Sequence, residues 1–227
     1  NFGTSNPNPC GNSTFGEVED YTVVIYDDYV HYDNAWTPAN PAGVSTATDN
    51  VLVVDGTTTL TGTTAMNNLT LQISGQLDVE GVLEVQGDID NDGDLVFKSR
   101  SSGDGQLDQF TGNLSRPVTV ERFIPVQTED TRAYRFLTSA VNSVRSIRVN
   151  WQEDGNSPAG FGTHITGSTT GANGFDQSIT GNPSMYTFDN SFTSNQDNAW
   201  NPIPNTDTRQ LEAGEAYRIF IRGDRNY

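Results

Sequence analysis

Apolar residues recur every six positions between Leu71 and Phe97. Leu71, Leu77, Leu83, Ile89 and Leu95 share one phase, and Ile73, Val79, Val85 and Phe97 follow two places later, with Asn91 breaking the second set. Gly75, Gly81, Gly87 and Gly93 mark the same beat. Two apolar side chains two residues apart point to one face of a strand. A following Gly supplies a backbone turn that a residue with a Cβ resists. Strands this short do not suit a hairpin meander, whose strands run about 5–6 residues. They suit the sides of a β-solenoid, in which rungs stack on one another. With three hexads to a turn, a coil takes about 18 residues and residues 51–97 supply about two and a half coils.

The flanking pattern predicts the rest of an all-β chain. Residues 1–16 read as loop, residues 19–25 as a strand, and an acidic, tyrosine-rich connector runs on to Asp33. Residues 34–50 read as a cap, with Trp36 placed to cover the first rung, which would otherwise expose apolar side chains and unpaired backbone. Period-two alternation predicts strands at residues 117–124, 132–140 and 146–151, then at 185–189, 200–203 and 216–222. A Gly-, Thr- and Asn-rich excursion separates the two groups, and no amphipathic helix is expected. The predicted architecture is a short capped parallel β-helix followed by a β-sandwich-like domain. Its divisions are 1–33, 34–116 and 117–227.

Charge narrows the partners. The formal net charge is −17, yet no Lys or Arg precedes Lys98. Such an acidic first half repels nucleic acid and anionic lipid, which require cations against phosphate. It either keeps a secreted chain soluble or attracts divalent cations. No apolar run reaches the roughly 18 residues of a membrane span. Cys10 is the one cysteine, so no disulfide forms within the chain. A first residue other than Met and an end beside an expected strand suggest a piece of something longer.

Candidate chemistry is sparse. Asp88, Asp90, Asp92 and Asp94, with Gly93, have the D-x-D-x-D-G spacing of a calcium loop, in which alternate carboxylates converge on one cation. The same residues also form an ordinary hexad corner, and the twelfth position, where an EF-hand-type loop needs Glu, is Ser99. Asp78, Glu84 and Asp90 occupy one place in successive hexads and are expected to ring the solenoid as a solvated face. The two histidines, His31 and His164, stand in no catalytic pattern. Arg222-Gly223-Asp224 reads more simply as a turn than as an adhesion tripeptide.

Residues 16–22, GEVEDYT, resemble the last strand of the GEVED domain, a β-sandwich module of secreted Bacteroidota proteins, and Cys10-Gly11 matches a Cys-Gly common shortly before that motif. The order VTVERFI, RAYRFLTSAV, NWQEDG, GTHITG, NGFD, PSMYTF, IPNT and YRIFIRGDR resembles a region of large flavobacterial surface proteins, usually exported by type IX secretion. The resemblance implies an extracellular, cell-surface setting. The expected function is a non-enzymatic structural module: a stalk, spacer or filament piece. Two alternatives are a carbohydrate-binding adhesin module, using loops around Phe161, Phe175, Tyr186 and Trp200, and a fragment of a polysaccharide-active enzyme. Expected partners are neighbouring domains of one longer chain, or neighbouring subunits joined by β-strand pairing, and surface glycans. No cofactor other than calcium is expected.

Overall fold

The computed structural model describes residues 28–125, 132–153, 162–193 and 196–222. Cys10, the motif at residues 16–22 and the strand expected at 19–25 lie outside them. The chain divides into two compact units, Asn1–Arg122 and Phe123–Tyr227.

In the first unit the strands are β1 (Tyr29–Tyr32), β2 (Ala35–Thr37), β3 (Val51–Leu60), β4 (Thr63–Met66), β5 (Leu69–Val79), β6 (Val82–Val85), β7 (Ile89–Asn91), β8 (Asp94–Phe97), β9 (Ser99–Arg100), β10 (Gly103–Asp104), β11 (Gln106–Leu107) and β12 (Thr119–Val120). They wind into a parallel β-solenoid of about five turns with three sides. On the first side Tyr29, Val51, Leu69, Ile89 and Leu114 stack in parallel register. On the second, Leu60 stacks under Val79, Val79 under Phe97, and Phe97 under Val120. On the third, Thr64, Leu83 and Leu107 stack. The three hexads of a coil are therefore its three sides. Leu71, Leu77, Leu83, Ile89 and Leu95 are all buried in one core, where each Leu contributes about 1.5–3 kcal/mol by leaving water.

Two members of the second phase exchange roles. Ile73 is 88% exposed, whereas Asn91, expected to interrupt the pattern, is 1% exposed and stacks on Leu71. The register between β3 and β5 shifts after Val53↔Leu71 to Asp55↔Ser74, so β5 carries one extra residue there. Such a bulge leaves a residue unpaired and turns Ile73 out of the stack. Inside, the Asn91 amide Nδ2 donates to the Pro117 carbonyl at 2.9 Å, and its backbone N–H donates to Ser115 Oγ at 2.9 Å.

The corner glycines serve close approach rather than an unusual backbone conformation. None of the four on the hexad beat has a positive φ. A Cβ on Gly81 would instead lie 1.8 Å from the Gly62 carbonyl oxygen of the turn below, and one on Gly93 would lie 2.1 Å from the Gly75 oxygen. Adjacent turns touch backbone to backbone at these corners, and only Gly fits.

The solenoid reaches further at both ends than the sequence pattern marks. The tyrosine-rich connector supplies β1, whose Tyr29 and buried His31 alternate onto the inner face. Antiparallel β2 then covers the outer edge of β1. Trp36, on β2, packs against the core, meets His31 edge to face at 5.1 Å and donates from Nε1 to Thr58 Oγ1 at 2.8 Å. At the other end, residues 117–124 do not open a new domain as a long strand. Their described strand is the two-residue β12, which pairs with β8 as the last rung of side two.

The second unit contains β13 (Ala133–Thr138), α1 (Ile147–Trp151), β14 (Thr166–Ser168), β15 (Asp176–Gln177), β16 (Met185–Phe188), β17 (Trp200–Pro202) and β18 (Ala216–Ile221). Four strands form one antiparallel sheet in the order β13-β18-β16-β17. Against Met185, Tyr217 and Ile219 of that sheet pack α1, Leu211 and the segments bearing Ile165 and Phe175, which lead into the two-stranded parallel pair β14-β15. The expected strand at 146–151 is thus a short helix. Ile147 and Trp151 are four apart, so both reach the core from a helix as readily as from a strand. Ser146 decides between the two by accepting the Val149 N–H on its side chain, an N-cap.

Replacing Leu83 with Asp should cost more than the about 2–5 kcal/mol of a Leu→Ala cavity, because a charge enters the stack unpaired. Ile73→Asp should change stability by no more than about 0.5 kcal/mol. Thermal denaturation of the two variants checks the phase; equal losses would contradict it.

Candidate functional site

The four acids of the calcium-loop spacing do not converge. Asp88, Asp90, Asp92 and Asp94 are exposed and alternate with buried Ile89, Asn91 and Leu95, with Gly93 between the last two acids. Successive carboxylates on one strand face lie about 6.8 Å apart, while calcium requires its oxygens at about 2.3–2.6 Å from one point. Three of the four meet separate residues of the next turn. Asp88 Oδ1 accepts from Asn113 N and Nδ2 at 2.8 and 3.2 Å. Asp90 accepts from Ser115 Oγ at 2.9 Å, and Asp92 pairs with Arg116 at 2.7 Å. Among the described residues no three His, Cys, Asp or Glu side chains gather into a metal-binding group. Asp78, Glu84 and Asp90 lie on three different sides of the coil.

Asp88 belongs instead to a ladder. Asn50 Nδ2 donates to Asp28 Oδ2 at 2.6 Å, and Asn68 Nδ2 donates to Asn50 Oδ1 at 2.9 Å. Asn68 Oδ1 accepts the Asp88 N–H at 2.9 Å, and Asp88 Oδ1 accepts from Asn113. These five residues each directly precede a member of the stacked column Tyr29, Val51, Leu69, Ile89 and Leu114. That recurrence of Asn or Asp before a side-one apolar residue is the sequence signal that the six-residue beat concealed.

Of the residues considered for glycan contact, Phe161 lies outside the described residues and Phe175 is buried in the second core. Tyr186 and Trp200 stand on strands rather than loops, on the sheet face turned away from that core. Alternation places Tyr134 and Phe136 of β13, Arg218 and Phe220 of β18, and Tyr186 and Phe188 of β16 on this same face. Register aligns them in rows: Tyr134 opposite Phe220, Phe136 opposite Arg218 opposite Tyr186, and Phe188 opposite Trp200. The rings meet at tilted and edge-on angles, Phe188 with Trp200 at 4.8 Å, Tyr134 with Phe220 at 5.0 Å and Phe136 with Trp200 at 5.8 Å. These are the separations that aromatic quadrupoles favour. Phe136 remains 70% and Tyr134 44% exposed.

Arg218 occupies the centre. Its guanidinium carbon lies 4.2 Å from the Trp200 ring centroid, 4.7 Å from Tyr186 and 4.8 Å from Tyr134, well inside cation–π range. Arg222 lies 5.1 Å from Phe220. Among the described residues Arg100, Arg116, Arg122, Arg148 and Arg209 each have a carboxylate partner, but neither Arg218 nor Arg222 has one. Arg218 Nε is buried with no hydrogen-bond partner. The Tyr186 hydroxyl donates to the Pro183 carbonyl at 2.9 Å. Burial, and then neighbouring Tyr134, push its ionisation above the ordinary tyrosine value, while Arg218 pulls it down.

Other ionisable groups, within each unit, are tied into structure. Arg209 grips Glu215 through Nη2 at 2.7 and 2.8 Å, and the buried Tyr217 hydroxyl donates to Glu215. His31 Nδ1 is hydrogen-bonded to the Asp55 carbonyl at 2.8 Å. No family model, curated protein or solved structure matches the chain.

Asp88→Asn should preserve stability, since an amide oxygen still accepts from Asn113, whereas Asp88→Ala should cost about 1–3 kcal/mol by leaving those donors unmatched. Urea denaturation with and without added calcium checks both points, and calcium should shift neither curve. Arg218→Gln should raise the ionisation of Tyr186 further by removing the nearby positive charge. Phenolate absorbance against pH, with Tyr186→Phe to assign the titration, reads that shift.

Proposed function

We propose that this chain is a non-enzymatic, carbohydrate-binding module of an extracellular surface protein. The observation that carries the reading is the open aromatic face of the second unit. Apolar side chains this large are normally buried, yet Phe136 and Tyr134 stand in solvent side by side on an edge strand. Sugars offer flat faces of C–H groups that stack on aromatic rings while their hydroxyls stay wet, so such rings suit a ligand that is itself polar.

Size favours a sugar over a protein partner. Four strands about 4.8 Å apart and three rows about 6.8 Å apart span about 14 Å each way, or about 200 Å² in plan. A standard protein interface takes about 800 Å² from each partner. The platform suits a few sugar rings. The extracellular setting rests on the sequence resemblance of residues 16–22 and of the later chain to secreted flavobacterial proteins.

A second reading, the structural spacer, rests on the solenoid. Its ladder and stacked core run through every turn, so bending it would break several contacts at once. The two readings use different units and are compatible. Edge strands β13 and β17, and the last rung β12, are where neighbouring domains or subunits would join by strand pairing.

Screening the chain against immobilised oligosaccharides tests the binding reading. Phe136→Ala and Trp200→Ala should each weaken the best ligand about tenfold, since a ring contact contributes on the order of 1 kcal/mol. Failure to bind any glycan, charged or neutral, would overturn it.

A further inference from the structure

Resting on that reading, we infer that the aromatic face selects acidic sugars, with Arg218 receiving the carboxylate of a uronate residue stacked beside it. Of the other arginines in the described residues, five are each matched to an Asp or Glu, while Arg132, Arg135 and Arg145, like Arg222, have no such partner there. Arg218 is matched only to rings, and the rows around it contain no acid. A guanidinium can do two things at once: stack flat on aromatic faces and present its N–H edge to a carboxylate in bidentate fashion. Arg218 already does the first. Its Nε is buried without a hydrogen-bond partner, and a carboxylate would take the edge formed by the two terminal nitrogens.

The neighbours sharpen the selection. Phe136 lies opposite Arg218 on the adjacent edge strand and is the most open ring of the platform. A sugar ring on Phe136 therefore places its substituents within reach of the guanidinium. Arg222, over Phe220, supplies a second cation without a carboxylate partner among the described residues.

Titration calorimetry with oligogalacturonate and with its methyl ester tests the inference on the intact chain, because the ester removes the charge and keeps the sugar. The acid should bind at least about tenfold tighter, the advantage expected of one charge-assisted hydrogen-bonded pair, and the gap should narrow as salt rises. Arg218→Gln should remove the gap between acid and ester. Equal affinity of the parent chain for acid and ester would overturn the inference and leave the carbohydrate reading standing. Binding of neither, with no neutral glycan bound in the wider screen, would overturn both. Tighter binding of oligoglutamate than of oligogalacturonate would show that the face reads carboxylates on peptides, and would also overturn the inference. The acid–ester comparison uses the parent chain alone, so it decides the matter even if Arg218→Gln does not fold.

Discussion

A parallel coil cannot satisfy its own backbone. Apart from the antiparallel strands β2, β9 and β10, the strands of the first unit pair in parallel with the turn above, the turn below or both, so no turn is complete without its neighbours. The composition of the solenoid follows from this one constraint. Turns can approach only where corners carry no Cβ, which fixes Gly81 against Gly62 and Gly93 against Gly75. The corner before side one needs a side chain that can both donate and accept along the stack, and Asn50 and Asn68 do so. The inner positions need residues that pack on copies of themselves one turn away, hence the columns of Leu, Val and Ile.

The parts legible in the sequence are those that repeat with the coil. Two inward residues per side, three sides per turn and a glycine at the corner give a period visible without any structure. What stays hidden is whatever interrupts the repeat. One extra residue in β5 turns Ile73 outward, and no single-residue property announces a bulge. Asn91 looks like a break because it is polar, yet it is an inner residue that matches the Pro117 carbonyl of the following turn. Both ends of the solenoid also depart from the repeat. Tyr29 and His31 do not look like solenoid residues, but alternation alone suffices to turn them inward once Val51 and Val53 offer a partner strand.

The second unit was harder to read because two-residue alternation does not say which face is the inside. In β13, Tyr134 and Phe136 are more apolar than Arg135, yet they face solvent while Leu137, of the opposite phase, packs against the core. The preference is set by β18, where Tyr217 and Ile219 fill the core and commit Arg218 and Phe220 to the outer face. Pairing then forces the phase of β13 and β16, because directly opposed residues share a face. Face assignment is thus a property of the whole sheet, and the strand with the strongest claim on the core decides for the others.

That dependence bears on why an exposed aromatic face persists beside a well-filled core. If Arg218 were only a surface cation, its stem and Nε would gain by lying out in water, where the buried nitrogen would find a partner. Its guanidinium lies instead against the rings of Trp200, Tyr186 and Tyr134. Cation–π contacts of this kind contribute about 0.5–2 kcal/mol each, which offsets the loss of one hydrogen bond at Nε. The rings in turn are held at fixed tilts by the cation and by each other, and preorganised rings give up little conformational freedom when something settles on them. A face arranged for folding alone would bury Phe136 or replace it with Thr, as Thr138 stands at the next outward position of the same strand. The arrangement stabilises the platform without covering it, which is the condition that the proposed stacking of a sugar on these rings requires.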